Sequence, residues 1–365
     1  MNTIGNIIKL TFFGESHGEY LGVVIDNLPA GIKIDHDNID AWLQKRRPQG
    51  NLSTTRVEPD DWKIISGYLD GKTTGAAFTV LIKNQEMHSE DYLRNEFKPR
   101  PGHADYPAYV KYDGANDLRG GGIFSGRITA LWMIVGAISE QILTKENIDV
   151  FSHIVSIKNV KSALFANDML NNEFLEKMKT SGFPVISDRV SELMKQEIEN
   201  AKKSGDSVGG IVETVIVGLP VGIGEPLFAS CESVLSSNLF SIPGIKGVEF
   251  GSGFAITEKL GSEANDPYRI QDGKIITTTN HNGGIVGGIS TGMPLVFRVA
   301  VKPTPSISKE QKTVDLSSGT NSEIEVSGRH DPSIVPRVIP VISAVASFTI
   351  LDLLLLSRIG RSVAK

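Results

Sequence analysis

The chain has one cysteine, Cys231, so it can form no internal disulfide and offers no Cys/His spacing suited to zinc. It also lacks a basic excess. A net charge of -5 and a pI near 5.9 argue against the exposed positive field that non-specific nucleic-acid binding requires. The first residues, Met1-Asn2-Thr3-Ile4-Gly5, have neither the basic start nor the apolar stretch of a signal peptide, which predicts a cytoplasmic protein. No Ser/Pro/Gly-rich linker or charge run divides the 365 residues, so one large domain, 1–365, is expected. Long apolar runs are scarce. The single one, Val338 to Leu356, is long enough to span a bilayer but contains Pro340, Ser343, Ser347, Thr349 and Asp352 and has no companion. It reads as a helix buried on all sides, with no membrane partner.

Glycine, by contrast, is abundant at 37 residues, which suggests tight turns and close backbone approaches to a ligand. Three strings clamp charged or imidazole side chains between glycine and proline: Gly14-Glu15-Ser16-His17-Gly18, Arg100-Pro101-Gly102-His103-Ala104-Asp105 and Gly328-Arg329-His330-Asp331-Pro332. A fourth runs from Arg119 through Gly120-Gly121-Gly122-Ile123-Phe124-Ser125-Gly126 to Arg127. Rigid loops that present His, Arg and Asp are where a scaffold usually places chemistry.

The chain also repeats itself. Residues 14–32 and 205–223 match without a gap at Gly14/Gly205, Ser16/Ser207, Gly18/Gly209, Pro29/Pro220 and Gly31/Gly222. Looser matches follow in the same order, and Arg127 and Arg337 each start a long helix. Two similar halves, about 1–150 and 200–360, are therefore expected to pack into one α/β (α+β) core, a β-α-β layered sandwich. His17 aligns with Val208, so the loop can be built without histidine and the second copy reads as structural. Strands are predicted over 7–13, 21–26, 62–69, 77–83, 210–217, 274–279 and 295–301, where β-branched and aromatic residues cluster between turn signals. Helices are predicted over 38–46, 126–145, 190–203, 226–239 and 338–359. In the second of these, Ile128, Leu131, Val135, Ile138 and Ile142 form one apolar stripe.

Some signatures dissolve on inspection. Gly67-Tyr68-Leu69-Asp70-Gly71-Lys72-Thr73 has one residue too few between its glycines for a phosphate-binding loop and reads as a hairpin turn. The glycines at 120, 122 and 126 lack dinucleotide spacing. The cations are more informative. Arg100, Arg119, Arg127, Lys302, Arg329 and Arg337 sit beside Gly, Pro or Ser in acidic sequence; gathered in one cleft they would bind a ligand with several negative charges. His17 and His103 would supply imidazoles titrating near neutrality, one of them as general acid toward a leaving phosphate. His36, His88, His153 and His281 read as surface or local hydrogen-bonding residues.

Together the four strings resemble the chorismate synthase family, and the likeness runs from Asn6 to about Leu355. It includes Lys302-Pro303-Thr304-Pro305-Ser306, Gly247-Val248-Glu249 and Asn280-His281-Asn282-Gly283-Gly284. The resemblance implies anti-1,4 elimination of phosphate from 5-enolpyruvylshikimate 3-phosphate to give chorismate, the last common step toward aromatic amino acids. Reduced FMN is required without net redox change, and the assembly expected is a homotetramer. It further implies that His17 protonates the departing phosphate, that His103 sits by the flavin pyrimidine ring, and that Asp331 lies near flavin N5. Flavin contacts carry over to Ile123, Phe124, Ser125, Pro243, Gly244, Gly287, Lys302, Pro303, Thr304, Pro305, Ser306 and Arg329. Substrate contacts carry over to Arg46, Arg47, Arg127 and Arg337. Arg46 is also the position associated with NADPH in members that reduce their own flavin.

This chain departs from the family in places. The arginine that usually follows the Arg-Arg-Pro string is missing from Pro48-Gln49-Gly50-Asn51-Leu52-Ser53. Ile123 and Phe124 replace residues that are usually polar, Ile128 stands where Glu is common, and His88 where Arg is common. Two other classes compete with the flavin-dependent lyase: a flavin-free phosphomonoester hydrolase using His17, and a small-anion or RNA-binding module on the Gly/Arg loops. Flavin dependence separates the first from the lyase, and the acidic charge balance disfavours the second.

Overall fold

A computed structural model describes residues 1–48, 52–53, 59–85, 98–117, 119–326, 328 and 330–362. The first sheet contains β1 (Thr3–Ile4), β2 (Lys9–Gly14), β3 (Tyr20–Asp26), β4 (Trp62–Ser66) and β5 (Phe78–Lys83), in the order β1-β2-β3-β5-β4. The second contains β6 (Asp149–Ile157), β7 (Val160–Lys161), β8 (Gly210–Val217), β9 (Ile245–Phe250) and β10 (Leu295–Val301), in the order β7-β6-β8-β10-β9. Every pairing is antiparallel. The strands β3 and β8 carry the two copies of the sequence motif and hold the same place in their sheets. The second sheet, however, also takes in β6 and β7, residues 149–161, which lie outside the expected 200–360 half.

Between the sheets lie α1 (His36–Arg46), α3 (Ala130–Lys145), α6 (Cys231–Leu239) and α7 (Val335–Ser362); α2 (Asp105–Lys111), α4 (Asn172–Thr180) and α5 (Asp188–Lys203) lie outside this central group. Trp132 on α3 meets Phe12 of the first sheet at 5.0 Å between ring centres and Phe348 of α7 at 5.8 Å. One apolar cluster therefore runs through both sheets and the helices between them. The helices α3 and α7 touch backbone to backbone: a Cβ on Gly136 would stand 2.4 Å from the Ala344 Cβ. The predicted stripe on α3 is too narrow a description, because residues 130–139 are buried all round. A helix packed on several sides at once has no solvent face to reveal a period.

The long apolar segment is α7, and 89% of its most hydrophobic window is buried inside the protein. Its one acid explains itself. Asp352 accepts hydrogen bonds from the backbone N–H groups of Asn6 at 2.6 Å, Ile7 at 2.7 Å and Ile8 at 2.9 Å, pinning the start of the chain to the central helix. The hairpin predicted at 67–73 forms, with Asp70 and Gly71 both at positive φ as a two-residue turn of this hand requires.

The strand β6 was not expected from the sequence, because Ser152, His153 and Ser156 interrupt its apolar run. Each of the first two is buried and matched across the sheet: Ser152 Oγ lies 2.8 Å from Thr214 Oγ1 and 2.7 Å from Ser343 Oγ, and His153 Nε2 lies 3.0 Å from Glu213 Oε1. His153 is thus a fully buried partner of Glu213 and not a surface residue. His36 and His281 do make local bonds, to Tyr68 Oη at 2.9 Å and Ser252 Oγ at 3.1 Å. His88 lies outside the described residues.

Replacing Asp352 by Ala leaves three backbone donors without their acceptor. At roughly 1–3 kcal/mol for each unpaired buried group, stability should fall by about 3 kcal/mol or more in a denaturant titration. A loss under about 1 kcal/mol would show that this tether is incidental.

Candidate active site

The two central helices begin at the same cleft. Its volume is about 740 Å³, and its wall includes Gly126, Arg127 and Thr129 at the approach to α3 and Ile334, Arg337 and Val338 at the start of α7. Helix starts carry unpaired N–H groups and partial positive charge, so two of them aimed at one space favour an anion. Arg46, at the end of α1, reaches the same wall, as do Arg100 and Lys302.

The loops close around this space through glycines whose positive φ would strain any side chain put there. Gly120, Gly121 and Gly122 have φ of 60°, 91° and 52°. A Cβ on Gly120 would lie 1.9 Å from His17 Cε1, so the glycine run presses directly against the imidazole. His17 itself is only 6% exposed and sits behind this run, outside the cleft wall, with Nδ1 3.2 Å from Ser16 Oγ. On the other side, Lys302 Nζ donates to the Gly102 carbonyl at 2.6 Å, and the Lys302 N–H donates to the Gly244 carbonyl at 2.9 Å. These bonds gather three separate stretches of chain into one rim.

His103 lies in the cleft wall in a defined tautomer. Nδ1 lies 3.1 Å from the Pro101 carbonyl, which can only accept, so Nδ1 carries the proton and Nε2 accepts from Ser306 Oγ at 2.8 Å. Burial, reinforced by the Arg100 charge, lowers its pKa to about 4. The expectation that it titrates near neutrality is therefore wrong for the free protein. Burial and nearby Lys246 likewise lower the Lys302 pKa.

The cation cluster is smaller than the sequence suggests. Arg100 grips Asp105 with two bonds, at 2.7 and 2.9 Å, and Arg119 grips Asp117 in the same way, with both bonds at 2.9 Å. For Asp105, burial pulls its pKa upward, but the Arg100 fork wins and holds it down. Arg119 does not line the cleft, because its local fork with Asp117 turns it aside. Arg127, Lys302, Arg337 and Arg46 do line it. Asp331 also lines it and accepts from Arg337 Nη1 at 2.7 Å, while Arg337 Nε donates to the Arg46 carbonyl at 3.1 Å.

Of the other residues singled out, Ile123, Phe124, Ser125, Pro243, Gly244, Thr304, Pro305 and Ser306 line the cleft. Pro303 does not. Arg47 lines a smaller neighbouring pocket of about 180 Å³ with Lys45, Ser53 and Arg337. Gly287 is not brought to the cleft: it sits in a hairpin turn beside Gly288, whose carbonyl accepts from Cys231 at the start of α6. The cleft residues Phe240 to Gly244 lie past the far end of that nine-residue helix, about 13 Å away along its axis. Arg329 lies outside the described residues.

Sequence reasoning missed two polar residues. Asn84 donates to the Glu15 carbonyl at 3.1 Å and the Gly18 carbonyl at 2.7 Å and accepts from Arg127 Nε at 3.0 Å, fastening the His17 loop to the anion side. Asp60 is buried against Arg127 and Arg46. The second copy of the loop supports from beneath: Ser207 Oγ donates to the Thr304 carbonyl at 2.6 Å, and the Val208 N–H donates to the Pro332 carbonyl at 2.9 Å. Val208 belongs to the core, so a histidine there would bury an imidazole in apolar packing.

A family model described as chorismate synthase matches residues 8–355. The chain is 47% identical over 356 residues to the chorismate synthase of Pyrococcus abyssi, covering 97% of this chain and 98% of that one. Against the chorismate synthase of Dehalococcoides mccartyi strain BAV1 it is 43% identical over 365 residues, covering 100% and 99%. A crystal structure of a chorismate synthase superposes with a TM-score of 0.76 at 26% identity, covering 97% of this chain and 93% of the other. A sandwich with this cleft and these relatives is an enzyme of the lyase class. The chain belongs to the chorismate synthase family.

The His103 environment makes a definite pH statement. The fold favours the neutral ring, so the unfolded chain takes up the proton first. His103 leaves stability untouched above about pH 6.5 and subtracts from it increasingly as pH falls toward about 4. An NMR titration of the ring in the ligand-free protein should show a midpoint near 4, and a midpoint near 6.5 would refute the reading.

Proposed function

We propose that this enzyme converts 5-enolpyruvylshikimate 3-phosphate to chorismate by anti-1,4 elimination of phosphate, with reduced FMN required and no net redox change. The observation that carries the proposal is the meeting of both central helix starts, with Arg127 and Arg337, at one cleft backed by the glycine run that covers His17. The substrate carries two carboxylates and a phosphate, and bidentate guanidinium forks suit such groups.

The residues present fit a flavin. A cleft of about 740 Å³ falls within the range of small-molecule sites. Thr304 Oγ1 is buried with no hydrogen-bond partner and lines the cleft, as an acceptor or donor awaiting a ligand would. Half-exposed Ile123 and Phe124, with Phe240, give an apolar wall for a flat ring. Residues 123–125, Pro243, Gly244, Lys302 and Thr304–Ser306 would hold it; Pro303, Gly287 and Arg329 join through the resemblance alone. When bound, reduced flavin lends electron density to a C–H cleavage that a protein base alone drives weakly.

The protein's own part is binding, orientation and proton placement. Arg127, Arg337 and Arg46 hold the anionic groups. By the resemblance His17 is the acid that protonates the departing phosphate; it is held against Ser16 behind the glycine run, which would have to yield for the two to meet. Asp331, which accepts from Arg337 in the cleft wall, would by the resemblance help relay the proton beside the bound flavin. His103, in the cleft wall, would by the resemblance lie by the flavin pyrimidine ring as a neutral hydrogen-bonding group, and an anion bound beside it would raise its pKa. Arg46 is further proposed as the NADPH-associated position.

A cytoplasmic homotetramer is proposed as well. Phe228 is 95% exposed, Phe254 84% and Ile270 81%, apolar side chains that an interface between copies would cover. Native mass spectrometry should find four copies, and a monomer at micromolar concentration would exclude the assembly.

Anaerobic turnover should release phosphate only when chemically reduced FMN is supplied; release without flavin would favour a hydrolase. His17→Ala should lower turnover roughly 10²–10⁴-fold while leaving FMN binding intact, the usual share of general-acid catalysis. A His17→Ala enzyme running at the wild-type rate would sink the acid assignment.

A further inference from the structure

Three arginines converge on one carboxylate that the cleft never sees. Asp60 has a fully buried side chain. Arg127 Nη1 bonds its Oδ1, while Arg46 Nη2 and Arg47 Nε stand 3.6 and 3.7 Å from its Oδ2. Arg46 and Arg127 line the cleft, and Asp60 does not. The carboxylate thus touches the guanidiniums from behind, where no ligand can reach it.

Burying like charges together is unfavourable unless a counter-charge holds them. Arg46 is only 3% exposed, so water cannot supply that compensation. Asp60 is also fixed in its own right. Its backbone adopts φ 51°, a left-handed conformation that Asp and Asn tolerate, and the next residue accepts from the Lys83 N–H at 2.9 Å. Beside Lys83, Asn84 takes the other edge of Arg127 at 3.0 Å.

We infer that Asp60 is a positioning residue for the anion grip: it sets the direction of Arg127 by a bond and of Arg46 by close approach, from the protein side, and never meets the ligand. The inference rests on the proposed reading of the cleft as the site of a phosphate-bearing substrate. A pure counter-charge would act differently, because its removal would make the cluster more positive and tighten anion binding. A positioning carboxylate predicts the opposite.

The test compares wild type, Asp60→Asn and Asp60→Glu under anaerobic conditions with reduced FMN, measuring KM, kcat and Tm. Asp60→Asn keeps the left-handed backbone and removes the charge. Its KM for 5-enolpyruvylshikimate 3-phosphate should rise roughly 10–100-fold, the factor for a charge-assisted bond, with kcat nearly unchanged. An unchanged KM, or kcat and Tm falling together without a KM effect, overturns the inference. Should Asp60→Asn fail to fold, Asp60→Glu keeps the charge but moves it by a methylene, and a raised KM with wild-type Tm is expected; a wild-type KM there overturns the inference equally. Wild-type enzyme without turnover would sink the proposed function instead. Inorganic phosphate then remains as the probe: weaker binding to Asp60→Asn than to wild type upholds the positioning role, and equal or tighter binding refutes it.

Discussion

Repulsion among cations held close in a low-dielectric cleft is the constraint around which this site is organised. Arg46, Arg127, Arg337 and Lys302 share one wall, and each is restrained by a group that is not the ligand. Asp60 faces Arg127 and Arg46, Asp331 faces Arg337, and the Gly102 carbonyl receives Lys302. Where the local carboxylate matches the arginine fully, as at Arg100–Asp105 and Arg119–Asp117, no fork is left for a ligand.

The layered core makes that arrangement possible. Two sheets enclose the central helices, and the close Gly136–Ala344 contact keeps α3 and α7 together along their length. Their starts consequently reach the cleft side by side, adding dipole charge to that of Arg127 and Arg337. Loops alone could carry the same side chains but not this shared orientation.

Much of this was legible in the sequence where local chemistry decides the outcome. Glycine and proline around His17, His103 and Asp331 announced fixed loops, and the β-branched runs at 210–217 and 295–301 form strands with those same limits. What stayed hidden depends on partners remote in sequence. Ser152 and His153 obscured β6 because their hydrogen bonds come from other strands and α7. Asp60 and Asn84 carry no local signature, since each takes its meaning from Arg127, more than forty residues onward. Arg119 was misjudged for a local reason: its partner Asp117 stands two residues away and was readable.

Asn84 joins two tasks usually kept apart. Its amide nitrogen secures the loop that orients His17, and its oxygen steadies the guanidinium that faces the ligand. Any shift of Arg127 on taking up an anion passes through three atoms of one side chain to the imidazole loop. The cleft guanidinium and the imidazole loop are thereby a single mechanical part, and evolution cannot retune the reach of one without disturbing the set of the other.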